Sequence, residues 1–122
     1  MASVSNSIEK IILGLINELE KNGFSIDEVF LFGSYADGSN TEESDIDLLI
    51  VSPQFVGDRI EDRKKIRKYV LKTSSYIEVI PCSREDFEIG NPFIDNIIRN
   101  GVKINFNMKT KRKKRLIKAL RN

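Results

Sequence analysis

The sequence predicts a small α/β (α+β) domain: a mixed β-sheet with helices packed mainly on one face. Three observations carry that reading. Apolar residues recur at helical spacing in some segments and gather into short β-branched and aromatic runs in others. The two patterns alternate along the chain in the order α-β-β-α-β-α-β. At 122 residues and 40% hydrophobic content, the chain suits one compact core and leaves no room for a second full domain.

The first element is a helix from Asn6 to Lys21. Ile8, Ile11, Ile12, Leu15, Ile16 and Leu19 fall on one face at three- and four-residue spacing. Asn6 with Glu9 is the expected capping box, and Gly23 the C-terminal stop. Glu28 to Phe32 is short, aromatic and apolar, and runs into Gly33, so it reads as a buried strand entering a turn. The polar stretch Tyr35 to Ser44 reads as a loop with one helical turn at its start. A second strand is expected over Asp45 to Val51, closed by Ser52-Pro53.

Arg59 to Leu71 is strongly charged, but Ile60, Ile66, Tyr69 and Val70 leave a narrow apolar stripe, which predicts an exposed helix lying on the sheet. Tyr76 to Ile80 is the third strand, expected to end at Pro81. Ser83, with Asp86 three residues on, suits the cap of a short turn. Pro92 to Arg99 reads as a helix stopped by Gly101, and Val102 to Phe106 alternates apolar and polar residues like a final half-buried strand.

The net charge of +2 conceals a division of the chain. Residues 1–108 hold all 18 acidic residues and 12 of the 20 basic ones, a net −6; residues 109–122 hold the other eight bases, a net +8. The expected organisation is a domain over 1–108 and a basic tail over 109–122. Such a tail reads as a solvated segment or an electrostatic contact, with nucleic acid through Lys109 to Arg121 as one candidate partner. It carries no aromatic residue on which a base could stack.

Composition restricts the chemistry. With no His, no Trp and the single Cys82, the chain has no Ser-His-Asp triad, Cys-His dyad or ordinary zinc site. Cys82, beside Pro81, reads as structural, and Ser34 has no nearby His or Lys to make it a nucleophile. No apolar run nears the ~20 residues of a membrane span, and the first residues lack a signal-peptide pattern, so the expected setting is the cytoplasm, away from membranes.

The informative stretch is Phe32-Gly33-Ser34, a ten-residue spacer, then Asp45-Ile46-Asp47-Leu48. Strand alternation puts Asp45 and Asp47 on one face with Cα atoms about 6.5 Å apart. Two such charges at 4 Å repel by about 4 kcal/mol at an effective dielectric near 20. A divalent cation offsets that, and oxygen-only ligands favour Mg²⁺, with Mn²⁺ as the substitute. Gly33 lets a ligand approach the backbone, and the amides of a following helical turn suit phosphate. Glu78, in the apolar run Tyr-Ile-Glu-Val-Ile, needs a partner and is a third candidate ligand or a proton acceptor.

This arrangement resembles the DNA polymerase beta-like nucleotidyltransferase superfamily, most closely its minimal nucleotidyltransferase branch. The resemblance spans roughly residues 8–106 and rests on Gly33-Ser34, on Ser44-Asp45-Ile46-Asp47-Leu48-Leu49 and on Asn100-Gly101-Val102-Lys103-Ile104. It implies the nucleotidyltransferase fold and transfer of a nucleoside monophosphate from a triphosphate, ATP above all, to a hydroxyl, with two Mg²⁺ ions. Gly33 and Ser34 would then bind the nucleotide, while Asp45, Asp47 and Glu78 would be the catalytic and metal-binding acids. It further implies a HEPN-type helical partner in a toxin–antitoxin pair.

Two departures from the family pattern stand out. Tyr35, Ala36 and Asp37 occupy positions where the family often has a basic residue, and Glu78 stands where Asp is commoner. Asp37 and the missing base favour, as an alternative, a binding protein that keeps the fold without the chemistry and neutralises a partner by contact; transfer to RNA or to a small hydroxylated molecule is a third option.

Overall fold

The computed structural model describes residues 5–106; the basic tail from Lys109 to Arg121 lies outside the described residues. The order is α1 (Asn6–Lys21), β1 (Glu28–Phe32), α2 (Ser34–Asp37), β2 (Ile46–Ser52), α3 (Arg59–Thr73), β3 (Ile77–Ser83), α4 (Arg84–Ile89), α5 (Pro92–Asn100) and β4 (Val102–Lys103). The four strands form one mixed sheet in the order β3-β2-β1-β4. β1 is antiparallel to β2 and β4, and β3 is parallel to β2.

The two long helices share one face. Ile12, Leu15, Ile16 and Leu19 of α1 and Ile66 of α3 meet Val29, Leu31, Ile46, Leu48, Ile50 and Val79 of the sheet in the main core. Deleting one of these side chains to alanine costs about 2–5 kcal/mol. The opposite face, which a chain this short could have left open, carries a smaller cluster. There Ile94 and Ile97 of α5 pack on Phe30, Leu49, Val51 and Cys82, with Phe87 of α4 against Phe30. Burial pushes the Cys82 thiol up to about 11, as befits a structural side chain. No helix among the described residues is long and apolar enough to cross a membrane.

Several element boundaries differ from expectation. Ser5 rather than Asn6 caps α1: its hydroxyl accepts from the Ile8 amide, and Asn6 already belongs to the helix. Asp45 lies just before β2, whose first residue, Ile46, donates its N–H to the Tyr76 carbonyl. β3 does not stop at Pro81 but continues to Ser83, because it is an edge strand, where a missing N–H can face away from the ladder. β4 is only two residues long, yet the expected alternation persists beyond it. Ile104 donates to the Val29 carbonyl, and Ile104 and Phe106 are buried.

In α3 the stripe is narrower than expected. Ile66 is buried, and Tyr69 and Val70 pack against the core, but Ile60 is exposed. Its inward role is taken by a charge. Asp62 is 1% exposed and accepts hydrogen bonds from the Val56 and Gly57 amides and from Lys65 Nζ, fixing the corner between β2 and α3.

Candidate active site

Sheet register brings Asp47 and Glu78 side by side at one end of the sheet, with Asp45 just before β2. Asp47 is paired with Phe32 across the antiparallel β1–β2 ladder and with Glu78 across the parallel β2–β3 ladder. Ile46, Leu48 and Ile50 point into the main core, so the alternate residues Asp47 and Leu49 belong to the other face. α5 covers that face at Leu49 and Val51 and leaves Asp47 half-buried at its end. The β3 register places Glu78 on the same side, next to Ile80.

Gly33 is fitted to this acid. It caps α2 with φ 74° and ψ −150°, a region essentially reserved for glycine. A Cβ there would collide with Asp47 Oδ2. The Gly-Ser turn and the Asp-x-Asp strand, 11 residues apart from Ser34 to Asp45, are thus in direct contact. Ala36 and Asp37 donate their N–H groups to the Gly33 carbonyl. Helix geometry leaves the amides of Ser34 and Tyr35 without intrahelical acceptors. Beside them runs a groove of about 290 Å³, lined among others by Phe32, Gly33, Asp37, Phe93 and Asn96.

The electrostatics are those of a crowded anion site. The Asp47 carboxyl is raised above the usual carboxylate range, first by burial and then by the negative charges of Asp45 and Glu78. Asp37, at one of the positions where the family often has a basic residue, is engaged locally. Its Oδ1 accepts from the amide and hydroxyl of Ser39, which holds its carboxyl below the usual range and closes the turn after α2. Ala36 is buried in the main core and Tyr35, half-buried, packs against it.

Donor chemistry fits a hard divalent ion at Asp45 and Asp47: oxygen ligands only, and like charges that a cation would relieve. Glu78 stands differently. The register puts it beside Asp47, but its Oε1 pairs with Arg63 of α3 at 3.5 Å. Among the described residues, no three acidic, His or Cys side chains form a group able to hold a metal ion. Arg63 was invisible to sequence reasoning. It is one of many bases in a charged helix, and its partner is 15 residues away, reached only around the edge of β3.

Residues 11–105 match the family described as the nucleotidyltransferase domain. Two relatives from Methanocaldococcus jannaschii, both provisionally named protein adenylyltransferases, are 34% identical over 102 residues and 40% identical over 96 residues. Each match takes in 76% of this chain, and 98% and 93% of the respective relative. A third relative of that organism and provisional name is 35% identical over 69 residues, 52% of this chain; the match covers only about half of that protein, 47%. Among solved structures, a protein of Sulfolobus solfataricus provisionally assigned as a nucleotidyltransferase superposes with a TM-score of 0.62 at 20% identity, over 84% of each chain. A chain from a toxin–antitoxin structure with AMP-PNP superposes with a TM-score of 0.51 at 20% identity, over 93% of this chain and 91% of that one. At these identities the structural likenesses speak for the fold, a small mixed sheet flanked by helices. Family match, relatives and fold agree: the chain belongs to the nucleotidyltransferase domain family.

Proposed function

We propose that this protein is an adenylyltransferase that moves AMP from ATP to a hydroxyl of a protein partner, acting as the antitoxin of a toxin–antitoxin pair. The observation that carries the reading is the contact between Gly33 and Asp47, with Asp45 and Glu78 adding charge around the same point. It supports the reading because it brings the Gly-Ser turn, which would hold phosphate, against Asp47 of the pair that would hold a cation. The provisional naming of the relatives as protein adenylyltransferases supports the nucleotide and the acceptor class. The toxin–antitoxin neighbour with AMP-PNP supports the pairing, for which a HEPN-type helical protein is the expected partner.

Asp45 and Asp47 would hold Mg²⁺, or Mn²⁺ in its place, and the bound ion would supply neutralisation of triphosphate charge and polarisation of the reacting phosphoryl group. The chain's own contributions are positional. The Ser34 and Tyr35 amides bind phosphate oxygens, and Gly33 lets the phosphates come close to Asp47. The acceptor oxygen bonds to the α-phosphorus, the bond to the bridging oxygen of the β-phosphate breaks, and pyrophosphate leaves. The acceptor proton passes to a carboxylate of the cluster or to water. The 1–108 segment would carry this chemistry, and the tail from residue 109 would contribute charge-driven contacts.

A second reading, neutralisation of the partner by contact alone, is favoured by one observation: Glu78 is engaged by Arg63 rather than gathered with the other acids. Incubation with labelled ATP, Mg²⁺ and a candidate HEPN-type partner separates the two. The enzyme reading expects label on the partner, lost in Asp45→Asn plus Asp47→Asn. Unlabelled partner that is nonetheless inhibited by the wild-type protein supports contact alone. Label on RNA or a small hydroxylated acceptor instead would redirect the substrate assignment.

A further inference from the structure

The ion pair between Arg63 and Glu78 crosses a margin of the sheet. α3 lies on the main-core face, while Glu78 belongs to the face of Asp47, so the two side chains meet around the outside of β3. Arg63 is fixed there at two points. Its Nε donates to the Val79 carbonyl at 3.4 Å, and a terminal guanidinium nitrogen lies 3.5 Å from Glu78 Oε1. Asp47 and Glu78 are register partners in adjacent strands, spaced by about 4.8 Å at the backbone. The Glu78 carboxylate thus stands between Arg63, with which it pairs, and Asp47, whose carboxyl feels its charge.

The pair is built to open. The Arg63 and Glu78 side chains are 44% and 53% exposed, so their separation unpacks no core. Arg63 borders a groove of about 540 Å³ between α3 and β3, with Ile60, Lys64, Arg67 and Leu71, so its guanidinium keeps access to solvent. An exposed ion pair of this kind biases an equilibrium by up to about five-fold. That is enough to set a resting position and too little to resist a bound divalent ion.

We propose that Arg63 is a positioning residue that holds Glu78 outside the Asp45–Asp47 pair, and that occupancy of the pair by a divalent cation draws Glu78 away from Arg63. The chain then rests with two cation ligands assembled and the third kept in reserve one strand away. This rests on the reading of Asp45 and Asp47 as the cation site, and its test keeps the two apart.

The measurement is Mn²⁺ affinity of the full chain at low salt, by calorimetry or by the electron paramagnetic resonance signal of free Mn²⁺, with no nucleotide present. Arg63→Ala is expected to bind Mn²⁺ about two- to five-fold more tightly than wild type. Arg67→Ala removes the same charge one turn along α3 and has no ion pair among the described residues, so it reports the general electrostatic change. Its gain is expected to be smaller. In a Glu78→Gln background the advantage of Arg63→Ala over Arg67→Ala should vanish, and Arg63→Lys, which keeps charge but not the two-point geometry, should fall between wild type and Arg63→Ala. Equal gains from Arg63→Ala and Arg67→Ala, or an advantage of Arg63→Ala over Arg67→Ala that survives Glu78→Gln, would overturn the proposal. If Asp45→Asn plus Asp47→Asn binds Mn²⁺ as wild type does, the cation site itself is wrong. If that variant loses binding while Arg63→Ala matches wild type, only the positioning role fails.

Discussion

Two aspartates, Asp62 and Asp47, show how differently one fold treats the same side chain. Asp62, at the corner of β2 and α3, is almost fully buried and receives two backbone amides and the Lys65 ammonium. Asp47, at the open end of the sheet, is less buried but faces the charges of Asp45 and Glu78 and the bare backbone of Gly33. A carboxylate supplied with donors holds structure together. One placed among like charges lowers stability unless something positive joins it, which is why the second arrangement marks a site.

That contrast can be broken by substitution. The largest effect falls on chemistry: Asp45→Asn plus Asp47→Asn is expected to lower the proposed AMP transfer by on the order of 10³-fold while leaving the denaturation midpoint unchanged or higher, since it removes repulsion and no packing. Next comes Asp62→Ala, expected to cost about 3 kcal/mol in urea unfolding because two amides and a lysine lose their acceptor, with Mn²⁺ binding by the folded protein retained. Gly33→Ala is expected to cost about 2 kcal/mol through its backbone conformation alone, and also to weaken nucleotide binding by displacing Asp47. A stable Gly33→Ala with normal binding would mean that the Gly33–Asp47 contact is incidental.

The smallest effect is on pH dependence. Folding raises the Asp47 carboxyl above its unfolded value, so the folded state binds that proton more tightly. The resulting stabilisation is fully present below the unfolded value and disappears as pH rises through the raised folded value. Wild type should therefore gain slightly on Asp47→Asn as pH falls through the carboxylate range, measured by paired denaturation curves. A gap that widens on acidification would contradict the assigned crowding.

Much of this was legible because it is local. The α1 stripe, the apolar run of β1 and the placing of Asp47 on the face opposite Ile46 and Leu48 follow from periodicities of 3.6 and 2, and Gly33-Ser34 announces its turn directly. What sequence hid depends on neighbours that only the fold supplies. Pro81 ends a central strand but not an edge strand, and edge position is a property of topology. Asp62 looks like one more surface charge in a helix of charges until the loop Phe55–Gly57 is seen to present its amides. Ile60, by contrast, stands six residues before Ile66 and so about 120° around the helix from it, and its exposure follows from that spacing.

The margin formed by β3 has a consequence for the protein's behaviour at high concentration. A free strand edge is a template for adding further strands, and chains that expose one tend to polymerise. Here Pro81 offers no N–H to an incoming strand, and Arg63 occupies the Val79 carbonyl with a charged head group. At the opposite margin β4 is only two residues long and carries Lys103, paired with Glu28. Both borders are thus poor templates, which favours discrete particles over open-ended aggregates. The arginine that positions Glu78 would serve this second purpose as well, so replacing it should lower solubility even where it sharpens cation binding.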